Sequence, residues 1–214
     1  MPSILSTNRP VILQIRQLTF GYAGHPLFNA WSGALPAGIT IVRGGDGRGK
    51  SSMLKLFAGE LSAPSGELEI LQTSLQQQAD KYRSQVFLSA PESHAYDQMS
   101  IREYLASLRS AYPTFDEMLL PGLIDGLSLT THMDKQLFML STGSKRKVWL
   151  CGAFAAGATL NLLDDPFAGL DKRSIEFVTR QLKRVAEKQD QAWVLALYVL
   201  PEDIPFASVI DLGD

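Results

Sequence analysis

Cysteine is almost absent from this sequence: of 214 residues only Cys151 carries a thiol, so no disulfide can close within the chain. A single thiol fits a reducing compartment, and a cytoplasmic protein is expected. An excess of one charge is absent too. Lys and Arg number 20 against 22 Asp and Glu, a balance without the basic bias of nucleic-acid binding proteins, and no nucleic-acid partner is expected. Long apolar runs are missing as well. The longest, Val148 to Leu163, is interrupted by Gly152, Gly157 and Asn161 and is too short to span a bilayer. Met1 to Pro10 is polar and lacks the apolar centre of an export signal. If the protein serves a membrane process, another subunit must supply the membrane.

What remains is an ordinary globular composition, 45% apolar and 20% charged, with length for one α/β domain or a core carrying an inserted subdomain. Ile12 to Thr19 alternates apolar and polar residues and Leu27 to Leu35 reads similarly, which predicts an N-terminal antiparallel hairpin. Ile39 to Val42 is a short buried strand, followed by a glycine cluster and a helix over Lys50 to Ala58. Further strands are expected at Glu67 to Leu71 and Val86 to Leu88. From Pro91 to Leu140 strand signals vanish. Ile101, Tyr104, Leu105 and Leu108 recur at helical spacing, as do Met118, Leu119, Leu123 and Ile124. A helix over Ser144 to Ala156, a strand over Thr159 to Leu163 and a charged amphipathic helix over Arg173 to Gln189 follow. Strands at Trp193 to Leu197 and Val209 to Leu212 close the sequence. Alternating strands and helices predict a mostly parallel sheet covered on both faces.

The densest chemistry lies in Gly44, Gly45, Asp46, Gly47, Arg48, Gly49, Lys50, Ser51 and Ser52, which satisfy G-x4-G-K-[ST] between a predicted strand and a predicted helix. Glycines let successive backbone amides turn inward onto phosphate oxygens, helped by the helix N-terminus. Lys50 adds a positive charge for the β- and γ-phosphates, and the Ser51 hydroxyl can ligate Mg2+. A second element is the apolar strand ending in Asp164, Asp165 and Pro166. An acid at the C-terminal edge of such a strand can hold Mg2+ through water, which makes Ser51 and Asp164 the metal candidates.

Two further segments decide the class of this P-loop. Leu140-Ser141-Thr142-Gly143-Ser144 precedes the acidic strand, and Ala168-Gly169-Leu170-Asp171 follows it. Here the chain resembles the ATP-binding subunits of ABC transporters. "LSTGS" resembles their LSGGQ signature, "LLDDP" the Walker B segment and "AGLD" the D-loop, while Phe20-Gly21-Tyr22 fits the upstream A-loop. The resemblance implies a P-loop NTPase core at 1–92 and 141–214, with a small N-terminal antiparallel β subdomain and a helical subdomain inserted at 93–140. It also implies Mg-ATP as ligand and Tyr22 stacked on adenine, while Phe20, at the same strand parity, is the expected core residue. Two subunits would sandwich two nucleotides, Ser141 and Gly143 of one meeting the phosphates held by the other. The pair would be a homodimer or a heterodimer with a related subunit. It would sit on the inner face of the membrane through an integral membrane transport subunit.

Three positions depart from the family. Asp165 stands where the family has a catalytic glutamate, one methylene shorter. Ala90 falls in the glutamine slot of the Q-loop, with Gln85 and Gln98 poorly placed to replace it. Tyr198 stands at the switch histidine, and His25, His94 and His132 lie elsewhere, as expected loop residues in solvent. Lys50, Asp165 and Tyr198 are therefore the candidate catalytic set, with binding intact and hydrolysis slowed. The alternative is a nucleotide-gated regulatory module with little or no ATPase activity. A small-molecule kinase has no use for the LSTGS and AGLD segments, and a soluble ABC protein of translation or repair would need two cassettes or a long coiled insertion. Lys145, Arg146 and Lys147, at the wrong end of a helix for its dipole, read as a solvated face.

Overall fold

The computed structural model describes residues 9–89 and 94–213. The expected Q-loop position Ala90 lies outside them. Two sheets organise the molecule. In the first, β1 (Val11–Tyr22) runs antiparallel between β2 (His25–Pro36) and β4 (Ser65–Ile70), with β5 (Thr73–Ser74) at the edge. The hairpin strands are longer than their alternation predicts, because bulges at Gln17 and Ala30, both with φ 48°, restore the inward parity after each break.

The second sheet has five strands, all parallel, in the order β6-β7-β8-β3-β9, formed by Val86–Ser89, Leu160–Asp164, Ala192–Leu197, Gly38–Arg43 and Ser208–Asp211. Its central strands are buried on both faces, and the side-chain period of two splits them between two cores. Trp193, Leu195 and Leu163 face one; Val194, Leu160 and Leu162 face the other. Trp193 stacks on Phe154 with ring centroids 5.2 Å apart. The second core is closed by α1 (Lys50–Phe57) and by the antiparallel sheet.

The first core is closed by the remaining long helices. In α3 (Ile101–Ala111) a reciprocal cap between Ser100 and Glu103 fixes the start, and Ile101, Tyr104, Leu105 and Leu108 form the buried stripe that their spacing predicts. Tyr104 meets Trp149 edge-on, centroids 4.7 Å apart. Trp149 belongs to α5 (Thr142–Ala156), which starts before the expected Ser144 because Ser141 already caps it. α6 (Lys172–Ala186) is capped by Asp171 and ends at Ala186, short of the expected Gln189, where its buried stripe runs out. Complete burial of a Leu or Val of that stripe contributes about 1.5–3 kcal/mol.

Met118 corrects the sequence reading. It is 92% exposed and precedes α4 (Leu120–Gly126), whose buried residue is Leu123. Asp116 accepts the Leu119 N–H instead, a local turn that delays the helix. The short α2 (Ala79–Arg83) and β5 are too brief to leave a periodic trace in sequence.

Candidate functional site

β3 delivers the chain to the C-terminal edge of the parallel sheet, where Gly44 lies against Leu212 and the Gly213 carbonyl with little room for a side chain. β9 braces this turn: Gly45 N–H donates to the Gly213 carbonyl and Leu212 N–H to the Arg43 carbonyl. Gly47 and Gly49 then adopt φ 73° and 91°, a left-handed region that a side chain would strain. Gly49 is the N-cap of α1 and has no side chain to cap it, so the first amides of that helix are free to meet an anion.

Lys50 is 9% exposed, and its Nζ donates to the carbonyls of Gly44 at 2.7 Å and Gly45 at 2.8 Å. The ring of Tyr198, one residue past β8, lies 4.0 Å from the same Nζ. Its hydroxyl donates to Asp46 Oδ1 at 2.7 Å. That hydrogen bond, together with the negative charges of Asp46, Asp165 and Asp164, raises the Tyr198 phenol above its ordinary value.

These groups line one cavity of about 770 Å3, within the range of small-molecule sites. It gathers Tyr22, Asp46 through Ser52, Asp164, Asp165 and Tyr198. Gly44 touches it through its carbonyl on Lys50. Tyr22 presents an exposed ring, edge-on to Phe20, with its hydroxyl 3.0 Å from Ser52 Oγ; Phe20 is buried, as expected of a core residue. Asp164 ends β7 in register with Ala196. Asp165 has φ 43°, and its N–H donates to the Ala196 carbonyl at 3.1 Å.

Among the described residues no cluster of three or more His, Cys, Asp or Glu could hold a metal. Mg2+ needs no such cluster, because it keeps several waters and substrate phosphates and takes only one or two protein ligands. Ser51 and Asp164 in one cavity fit that requirement.

Ser141 and Gly143 lie outside the cavity. Ser141 Oγ caps α5 by accepting the Ser144 N–H at 3.2 Å, and Gly143 packs directly against Gly169. The three basic residues that follow are not a solvated face. Lys145 pairs with Asp97 at 2.7 Å, Arg146 donates to the Ala168 carbonyl, and Lys147 pairs with Asp171. Acceptors from elsewhere in the fold offset the unfavourable helix end, which no local pattern reveals. Of the histidines, His94 is the exposed loop residue expected, 83% open to solvent although it pairs with Asp97; His25 is exposed but opens β2 at the rim of the cavity, and His132 departs from expectation, half-buried in a 3-10 turn.

Sequence reasoning missed Leu27 and Leu212, which line the cavity. Leu27 packs against Gly49 and Leu212 against Gly44, so both shape the glycine loop. An apolar residue on or just past a strand carries no mark of such a role. The proximity of Leu212 follows from the pairing of β9 with β3, which is a fact of topology.

The ABC transporter family pattern matches residues 30–168 of the chain. A cytochrome c biogenesis ATP-binding export protein, CcmA of Legionella pneumophila (strain Lens), is 31% identical over 172 residues, covering 77% of this chain and 82% of that protein. The ABC-type transporter ATP-binding protein EcsA of Bacillus subtilis is 27% identical over 194 residues, 88% of this chain and 78% of that protein. A solved ATP-binding subunit of an ABC transporter superposes with a TM-score of 0.80 at 23% identity, covering 88% of this chain and 80% of that one, which establishes a common fold. By fold and by family pattern, the chain belongs to the ABC transporter family as one of its ATP-binding subunits.

Proposed function

We propose that the cavity binds Mg-ATP and that two such subunits close on two nucleotides to drive a separate membrane transport subunit, with slow hydrolysis. The observation that carries this reading is Lys50: a buried ammonium held by two P-loop carbonyls on a cavity that also bears Asp164 and Asp165. In this reading Lys50 and the open amides of Gly47 to Ser51 hold the β- and γ-phosphates. Tyr22 offers its exposed ring to adenine, a contact worth about 1–3 kcal/mol. Ser51 and Asp164 hold Mg2+, which when bound neutralises charge on the phosphate oxygens. Asp165 orients the attacking water.

Ser141 and Gly143 face the nucleotide of a partner subunit, either a second copy or a related chain. Their separation from the cavity of their own chain supports this. No helix of the described residues is long and apolar enough to cross a membrane. Residues 93–140, inserted between the two halves of the core, are assigned to docking on an integral membrane partner at the cytoplasmic face. The relatives named as an export protein and a transporter ATP-binding protein support transport as the coupled process.

A second reading, a nucleotide-gated regulatory module without appreciable turnover, is favoured by one observation. Asp165 is one methylene shorter than glutamate, and a displacement of about 1 Å at a reacting group costs roughly a hundredfold in rate. ATP binding and turnover of the purified chain with Mg2+, beside Lys50→Ala and Asp165→Glu, separate the readings. Binding that Lys50→Ala abolishes, with turnover raised in Asp165→Glu, supports the transport ATPase. Binding without turnover in every variant supports the regulatory module, and absence of binding defeats both.

A further inference from the structure

Tyr198 makes two contacts that a solvent-facing aromatic has no packing reason to make. It is 52% exposed, yet its ring covers the Lys50 ammonium and its hydroxyl holds Asp46 across the mouth of the cavity. An ammonium has three N–H bonds, and those of Lys50 find the Gly44 and Gly45 carbonyls on one side and the ring on another. Asp46, exposed within the glycine loop, puts a negative charge where anionic oxygens would arrive, and the Tyr198 hydroxyl is its partner. A phosphate that meets Lys50 must take the side the ring occupies. The same residue therefore masks the positive charge and ties down the negative one.

We propose that Tyr198 is a latch on the phosphate site, closed on Lys50 and Asp46 in the free chain and displaced when a triphosphate enters. The inference rests on the reading of this cavity as a triphosphate site. The latch competes with the ligand, so the apparent affinity is reduced by the fraction of chains in which it is open. Nucleotide loading is thereby tied to the short stretch that follows Tyr198, which has neither helix nor strand, opens on the exposed Val199 and is anchored in the core farther on by the buried Ile204. Entry of nucleotide thus moves a surface segment of the subunit in the same step.

The test is calorimetric titration with Mg-ATP, and separately with inorganic triphosphate, of the wild-type chain, Tyr198→Ala, Tyr198→Phe and the double variant Tyr198→Ala/Lys50→Met. A latch predicts that Tyr198→Ala binds both ligands roughly five- to tenfold more tightly, from the strength of an exposed cation–π contact and its hydrogen bond. Tyr198→Phe, which keeps the ring and loses the hydroxyl, falls between, and the double variant loses the gain. Equal or weaker binding in Tyr198→Ala, with wild-type binding intact, overturns the latch and leaves the cavity reading standing. Binding only after Tyr198 is removed supports the latch in its strongest form. No binding in any chain defeats the cavity reading, and the latch with it.

Discussion

Gly143, in the first turn of α5, lies so close to Gly169 that a Cβ on it would collide with the Gly169 carbonyl oxygen. Arg146 on the same helix donates to the Ala168 carbonyl, and Lys147 pairs with Asp171. The LSTGS segment and the AGLD loop are therefore held as one body within a single chain.

Gly143→Ala should separate that body. Overpacking of this kind costs about 1–3 kcal/mol, so the denaturant midpoint should fall with little change in the slope of unfolding. Turnover of the assembled protein should fall at least tenfold, on the order of what misplaced groups cost. Denaturant titration beside an ATPase assay checks both, and a variant with wild-type turnover would show that this contact serves folding alone.

Asp165 makes a different prediction from its backbone. At φ 43° it occupies a region where Asp and Asn are several-fold enriched among residues with a side chain. Asp165→Glu should cost stability by less than about 1 kcal/mol while raising turnover about tenfold or more, because the longer side chain recovers reach. Asp165→Asn should keep the stability and lose the turnover. Paired melting curves and single-turnover assays read both, and a Glu variant slower than wild type would sink the assignment of this side chain to water.

Much of the fold was legible because its signals are local. The apolar run to Val42 followed by glycines marked β3 and α1, and the spacing of Ile101, Tyr104, Leu105 and Leu108 marked α3. The cavity residues from Asp46 to Ser52 share one stretch of chain, so their type and order announced the site. Tyr198 was visible only as a departure from family pattern. That it reaches Asp46, 152 residues away, depends on how β8 pairs beside β3. The acceptors of Lys145, Arg146 and Lys147 were hidden for the same reason: each belongs to a segment distant in sequence. Met118 misled because helical spacing continued across a turn that Asp116 caps.

Cys151 should behave as an inert core residue. It is buried, and desolvation pushes its thiol up to about 12, so almost no thiolate exists near neutral pH. Labelling by a thiol reagent should be slow in the native chain and should rise with denaturant along the unfolding curve. Rapid labelling without denaturant would mean that α5 opens locally, contrary to its place in the core.

The acid side of the stability profile should depend on two carboxylates. Asp171 accepts hydrogen bonds from Lys147 Nζ and from the Ser174 N–H and hydroxyl, and the lysine leads in holding it well below the ordinary carboxylate range. Asp97 is lowered in the same sense, first by Lys145 and then by His94. An unfolded aspartate titrates near 3.9. Between that value and the lower folded values the unfolded chain binds more protons than the native one, so stability falls as pH falls. The contribution is thus complete above about pH 5 and is lost progressively below about pH 4. Asp171→Asn and Asp97→Asn should each lower the melting temperature at pH 7 and flatten its decline between about pH 4 and pH 2, with the double variant flatter than either. Asp171 is more than half exposed and Asp97 half-buried, so solvent screens the first pair more than the second and keeps the effect of each modest. Melting temperature against pH for the four chains decides the matter. An unchanged acid limb in the double variant would mean that other carboxylates govern acid unfolding, and that these pairs orient their helices without stabilising the fold.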